Sequence, residues 1–386
     1  MVAPTLRGTR SAGRGTTSEL AAPWRHIDVV LLGAVLVISA LSLLMIYSAT
    51  RNEQASSAFG GSYYLKRQAA YIGVGIAVMI VVLLIAYRSL PDLAPALYVL
   101  TLIMLFLVVS PLGATKRGTQ AWFQLGSFQL EPSEFAKAAM IVCLSAYIAR
   151  HRSDLDGRRV AVVLVLIAVP LVLIYRQPDF GTAMVFIGIL LALLLVGGAR
   201  PRHLAALVLA GALGAGAIIQ LGVLKEYQVD RLSAFLDPQS DTQRSTYNLR
   251  KSQIAIAAGG VAGKGVFQGS QTNLSFVPEQ HTDFIFTAVA EELGFIGAVT
   301  LMGLFAIVVW RTWRSAVVSR DRFGTLVCVG VLAMLVFQVF ENVGMTMGIT
   351  PIAGIPLPLM SYGGSSTVAT FIAIGLVLNV HMRRFA

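Results

Sequence analysis

Val277-Pro278-Glu279-Gln280-His281-Thr282-Asp283-Phe284-Ile285-Phe286 marks the point where a long polar segment gives way to a long apolar one. Upstream lie Tyr247-Asn248, Gly259-Gly260, Gly263-Lys264-Gly265 and Gly269-Ser270-Gln271. Downstream, residues 283–310 are mostly apolar and long enough to cross ~30 Å of hydrocarbon. A glycine-rich, charged stretch between greasy segments reads as a loop that leaves a membrane, with Asp283 at the lip of the next span. A carboxylate held at the water–lipid boundary is well placed to act on a substrate with a polar head and a lipid tail.

The same pattern extends outward. The 386 residues are 56% hydrophobic and only 13% charged, with a mean hydropathy of +0.74, which excludes an ordinary soluble domain. Apolar runs at 27–47, 68–87, 93–109, 133–149, 160–175, 180–196, 204–224, 283–310, 323–347 and 365–380 read as ten transmembrane helices of an all-α, polytopic membrane protein. Residues 1–26 form a polar tail with the composition of a disordered segment, 27–382 the membrane domain, 225–282 a large extracytoplasmic loop between helices 7 and 8, and 383–386 a short cytoplasmic end. The first apolar run is too long for a signal-peptide core and reads as a retained span. Cys143 and Cys328 lie in apolar runs and read as small buried hydrophobes, with no disulfide or zinc pattern.

With the amino terminus in the cytoplasm, 17 of the 30 Lys and Arg but only 6 of the 19 Asp and Glu fall on the cytoplasmic side. The whole net charge of +11 therefore sits on one face, which sets both termini inside. These basic residues read as topology determinants and as contacts to anionic membrane lipid, not to nucleic acid.

The outer side is chemically richer. Besides the glycine loop it holds segment 111–132, with Lys116, Arg117, Trp122, Phe123 and Glu131, whose aromatic pattern suits a segment lying on the membrane interface. It also holds the turn 176–181 and segment 348–364, where Pro351, Pro356 and Pro358 suggest a re-entrant loop closing a cavity mouth. Of the five histidines only His281 lies outside.

The motifs Gly263-Lys264-Gly265, Gly269-Ser270-Gln271, Pro278 to Phe286 and Ala290-Glu291-Glu292-Leu293-Gly294 strongly resemble those of the SEDS family (shape, elongation, division and sporulation). So do Glu131-Pro132-Ser133-Glu134-Phe135-Ala136-Lys137, Gln177-Pro178-Asp179-Phe180-Gly181, Asn342-Val343-Gly344-Met345-Thr346 and Ser361-Tyr362-Gly363-Gly364-Ser365-Ser366. The resemblance covers about residues 27–382. Stretch 271–280 is more similar to the elongation branch (RodA) than to the division branch (FtsW). One departure is Glu131, where the family more often has Gln. The resemblance implies ten transmembrane helices and a peptidoglycan glycosyltransferase. Such an enzyme polymerises lipid II for cell elongation with a class B penicillin-binding protein and the elongation machinery.

The resemblance places the catalytic carboxylate at Asp283. Donor lipid II is an α-linked pyrophosphate and the glycan is β-linked, so one inversion with one general base suffices, by analogy with inverting glycosidases. Asp283 could instead bind a divalent cation, Mg or Mn, that holds pyrophosphate, or simply cap the following helix. Glu134 and Lys137, three residues apart, share a helix face, with Lys137 contacting pyrophosphate or orienting Asp283; the plainer reading is a structural ion pair. Arg51, His281 and Lys264 are further candidates for substrate or pyrophosphate contact. Gly263 and Gly265 could present backbone N–H groups to phosphate, although the spacing is not that of a Walker A loop. Glu291, Glu292 and Glu341 read as cavity-shaping or packing residues inside the bundle, and Asp179 as a loop anchor. Two other functions stay open at this point: a lipid II flippase or other transporter, and a non-catalytic scaffold. The polar residues crowd the outer face instead of the midplane that transporters favour, which ranks transport second.

Overall fold

The computed structural model describes residues 26–55, 62–116, 119–126, 128–151, 155–220, 229, 235, 244–274 and 276–385. Of the expected loop 225–282, the part before residue 244 lies almost wholly outside the described residues, as do residues 221–224 of the expected seventh span and most of the amino-terminal tail. The chain is mostly helical. In order it forms α1 (Val29–Ala55), α2 (Tyr63–Leu84), α3 (Leu90–Val109), α4 (Pro132–Arg150), α5 (Gly157–Arg176), α6 (Phe180–Val196) and α7 (Pro201–Gln220). After these come α8 (Arg244–Gly259), the single turn α9 (Ser270–Asn273), α10 (Ile285–Val317), α11 (Arg322–Met347) and α12 (Gly364–Met382). Each expected run overlaps a helix over its described residues. Seven of these (α1, α2, α3, α5, α10, α11 and α12) are long and apolar enough to cross a membrane, and α6 is a shorter apolar helix.

The all-α expectation needs one correction. Residues 114–130 form a three-stranded antiparallel meander: β1 (Ala114–Lys116), β2 (Thr119–Leu125) and β3 (Phe128–Leu130), with Phe123 opposite Leu130 and Leu125 opposite Phe128. Gly126, at φ +62°, supplies the left-handed residue that a tight turn between β2 and β3 needs. Trp122, Phe123 and Phe128 lie on these strands.

Local chemistry sets the helix ends. Pro132 opens α4, where its missing N–H costs nothing. Asp156, Asp179 and Asp321 cap α5, α6 and α11, accepting from the backbone N–H groups of Arg159, Thr182 and Gly324. α12 is buried nearly all round and packs on α2; α11 packs on α6, α4 and α10. Outward-facing residues of α3, such as Leu100, Ile103 and Phe106, are apolar and exposed, as a lipid-facing surface requires.

α10 breaks at Gly294, whose φ of +65° is not helical. In hydrocarbon such a break must be repaired by protein. The glycine loop repairs it: the N–H groups of Lys264 and Gly265 donate to the carbonyls of Glu291 and Glu292, and those of Phe295 and Ile296 donate to the carbonyls of Gly260 and Val261. The backbones approach so closely that a Cβ on Gly263 would lie 2.2 Å from the Glu292 carbonyl oxygen. Here glycine is required by contact as well as by its φ of +79°.

Candidate active site

A cavity of about 590 Å³ opens where the amino-terminal ends of α2, α4, α6 and α12 meet the segment leading into α10. Asp283, His281, Lys137, Glu134 and Asp179 all line it. The sheet contributes Trp122 and Gln129, and the 348–363 loop contributes Gly354, Pro356 and Tyr362.

Asp283 is half-buried on the turn before α10. The helix begins at Ile285, and its cap position falls on Phe284, without a side-chain cap bond. The geometry thus assigns the cap to another residue and leaves the Asp283 carboxylate on the cavity wall. Two contacts fix its backbone. Phe284 is buried with Ala255 and Val277, against Ile352, and Asn342 donates through Nδ2 to the carbonyls of Asp283 and Ile355, both at 2.8 Å. Asn342 therefore ties the Asp283 turn to the proline-rich loop.

Lys137 and Glu134 form a contact of 2.6 Å between side chains only 2% and 4% exposed. Neighbouring Glu131 accepts from Trp122 Nε1 at 3.1 Å and from the Ser133 hydroxyl at 3.1 Å, while its N–H donates to Ser365. Burial, together with the Glu134 and Asp179 carboxylates, pushes the Glu131 carboxyl up to about 8, so it holds its proton at neutral pH. Asp179 accepts from the Thr182 N–H at 3.0 Å and from the Ser133 hydroxyl at 3.4 Å, which joins α4 to α6.

His281 sits among tyrosines: its ring centroid is 4.9 Å from that of Tyr64 and 5.7 Å from that of Tyr362, and its carbonyl accepts from the Tyr362 N–H. Burial, then the neighbouring Tyr71, raises the Tyr362 phenol, so it remains a neutral hydroxyl.

The remaining expected residues lie elsewhere. Arg51 donates to the Phe267 carbonyl at 2.5 Å and to Asn273 at 3.2 Å, with its guanidinium over the Phe267 ring. Lys264 pairs with Glu291 at 3.2 Å and with the Ser270 hydroxyl at 2.6 Å. Glu291 also accepts from the N–H groups of Gln271 and Thr272, which closes the start of α9. Glu292 accepts from Ser48, and Glu341 is buried in α11. Arg51, Lys264, Gly263, Gly265, Glu291, Glu292 and Glu341 thus lie outside the cavity lining, and the glycine-loop N–H groups at 264 and 265 are committed to the α10 break.

A family model for FtsW/RodA/SpoVE cell cycle proteins matches residues 28–385. The chain belongs to this family. Stage V sporulation protein E of Bacillus subtilis is 33% identical over 357 residues, covering 92% of this chain and 96% of that one. Peptidoglycan glycosyltransferase MrdB of Escherichia coli is 34% identical over 360 residues, covering 93% and 94%. The fold matches a chain from a structure describing coordination of polymerization and crosslinking by a peptidoglycan synthase complex, with TM-score 0.80, 32% identity and coverage of 94% and 99%. It also matches the rod shape determining protein RodA of Thermus thermophilus, with TM-score 0.70, 29% identity and the same coverage. Seven helices among the described residues that are long and apolar enough to cross a membrane, together with this family membership, make the chain a multi-pass protein of the bacterial cytoplasmic membrane.

The cavity of this FtsW/RodA/SpoVE-type chain contains residues that the sequence reading did not single out. Tyr63, Arg67 and Tyr71 recur at four-residue spacing on α2, and Arg67 donates to the Tyr63 hydroxyl at 2.6 Å with its guanidinium over both rings. That spacing is the signal that could have found them. Among the described residues no three His, Cys, Asp or Glu side chains converge as a metal-ligand set.

Proposed function

We propose that this chain is a peptidoglycan glycosyltransferase that polymerises lipid II at the outer face of the cytoplasmic membrane. In this reading it crosses the membrane ten times with both termini inside, and its outward segments include 225–282. It works with a class B penicillin-binding protein and the elongation machinery. The observation that carries the reading is the convergence of a half-buried carboxylate, two cationic side chains and four helix amino termini on one cavity.

The starts of α4, α6 and α12 turn the positive ends of their dipoles toward the cavity, an arrangement that favours an anion such as pyrophosphate. Arg67 adds positive charge, Lys137 holds its ammonium against Glu134 until an anion competes for it, and protonated Glu131 removes a carboxylate that would repel the ligand. The Asp283 carboxylate takes the proton of the acceptor 4-hydroxyl. The freed oxygen attacks the anomeric carbon of the donor sugar from the face opposite the pyrophosphate. The new β-glycosidic bond forms as the bond to undecaprenyl pyrophosphate breaks. The tyrosines around His281 offer apolar faces and hydroxyls to sugar rings. No step is routed through a metal ion.

Labelled lipid II incubated with the purified protein and its transpeptidase partner, with products resolved on gels, tests the reading. Long glycan strands support it. Movement of lipid II across liposomes without any polymer would overturn it in favour of transport.

A further inference from the structure

A second cavity, of about 330 Å³, lies at the opposite end of the bundle, lined by Arg311, Arg314, Val318, His381, Arg384 and Phe385. Arg311 is 26 residues beyond the start of α10, and the unbroken stretch from Gly294 to Arg311 alone rises roughly 25 Å at 1.5 Å per residue, most of the thickness of the hydrocarbon core. If the first cavity opens at one headgroup layer, this one opens at the other. Trp310 and Trp313, 58% and 48% exposed with rings 5.5 Å apart, flank it in the manner of interfacial anchors.

The charges there do not balance. Arg311 donates to Asp28 at 2.7 Å. Asp28 also accepts from the Leu31 N–H at 3.0 Å. The Arg311–Asp28 pair is neutral overall. The Arg314 side chain is exposed and has no hydrogen-bond or ion-pair partner among the described residues. Arg384 reaches only the backbone carbonyls of His381 and His26, with its guanidinium over Phe385. Among the described residues, neither the Arg314 nor the Arg384 guanidinium makes an ion pair with a carboxylate, and both line a concave, half-apolar site.

We propose that this cavity binds the phosphate of an anionic phospholipid headgroup. Arg314 and Arg384 supply charge-assisted hydrogen bonds, and the exposed Ile307 and Trp310, on the membrane side of Arg314 along α10, border the acyl chains. The proposal rests on the membrane placement of the chain and not on its enzymatic activity.

The test is binding of the purified full-length protein to phosphatidylglycerol, titrated into neutral phosphatidylcholine nanodiscs and read by native mass spectrometry. Arg314→Gln with Arg384→Gln should weaken retention of phosphatidylglycerol roughly tenfold or more. Arg202→Gln, an exposed arginine on α7 outside the cavity, should change it less than twofold. The single Arg314→Gln variant, at an exposed position, covers the case in which the double variant does not fold. Equal losses in the cavity and control variants would show a diffuse surface effect and overturn the proposal. Saturable binding of inorganic phosphate with no preference for phosphatidylglycerol over phosphatidylcholine would overturn the lipid as source.

Discussion

Replacing Lys137 by Ala leaves Glu134 buried without its cation, and the consequence follows from the geometry. At 2.6 Å and an effective dielectric of ~20 the pair attraction is roughly 6 kcal/mol. Desolvation of both groups offsets most of that, so the pair itself adds little net stability. Losing one partner is different: an uncompensated buried carboxylate costs about 3–5 kcal/mol or takes up a proton. Lys137→Ala should therefore lower resistance to unfolding in denaturing detergent by that order and abolish polymerisation. The double variant Lys137→Met with Glu134→Gln should recover most of the stability, since no charge is stranded, yet stay inactive because the cation is missing. Unfolding curves and lipid II gels on the same preparations separate the two effects. A Lys137→Ala protein as stable as wild type would refute the buried-pair argument, and an active double variant would refute a role for the cation.

Further expectations follow from other parts of the structure. Because the Glu131 carboxyl is raised to about 8, it is neutral below that pH and ionises above it, adding negative charge beside the pyrophosphate. Polymerisation should fall as pH passes from 7 to 9, and Glu131→Gln, neutral throughout, should flatten that alkaline limb in a pH–rate profile. Asn342→Ala removes two hydrogen bonds that hold the Asp283 turn, each worth about 1 kcal/mol, and should reduce kcat at least tenfold with KM for lipid II nearly unchanged. Gly263→Ala puts a Cβ against the Glu292 backbone and should cost more than ~3 kcal/mol. Gly260→Ala, with positive φ but no atom within 4 Å, should cost only about 1–2 kcal/mol. Unfolding midpoints of the two variants check the contrast.

The helices were legible because hydrocarbon leaves little choice: a run of about 20 apolar residues must form a helix if it is to cross. The meander at 114–130 was not, because three short strands with mixed side chains give no clean two-residue alternation. Asp283, His281, Lys137, Glu134 and Asp179 were readable as motif residues, and the fold brings all five to one cavity. Tyr63 and Arg67 escaped because they precede the apolar run that began at Gln68, while α2 actually starts at Tyr63. The glycine loop was visible as a feature, but its purpose depended on a break at Gly294 that only three-dimensional contact reveals. Phosphate binding and backbone docking both call for glycine with free N–H groups, so the sequence alone does not separate them.

The central claim is that Asp283 is the base of a polymerase. The most direct measurement compares wild type with Asp283→Asn, each purified with its transpeptidase partner, for both lipid II binding and glycan strand formation. The account predicts retained lipid II binding and a normal unfolding midpoint in Asp283→Asn, with strand formation reduced at least a hundredfold. Polymerisation by Asp283→Asn at the wild-type rate would contradict it.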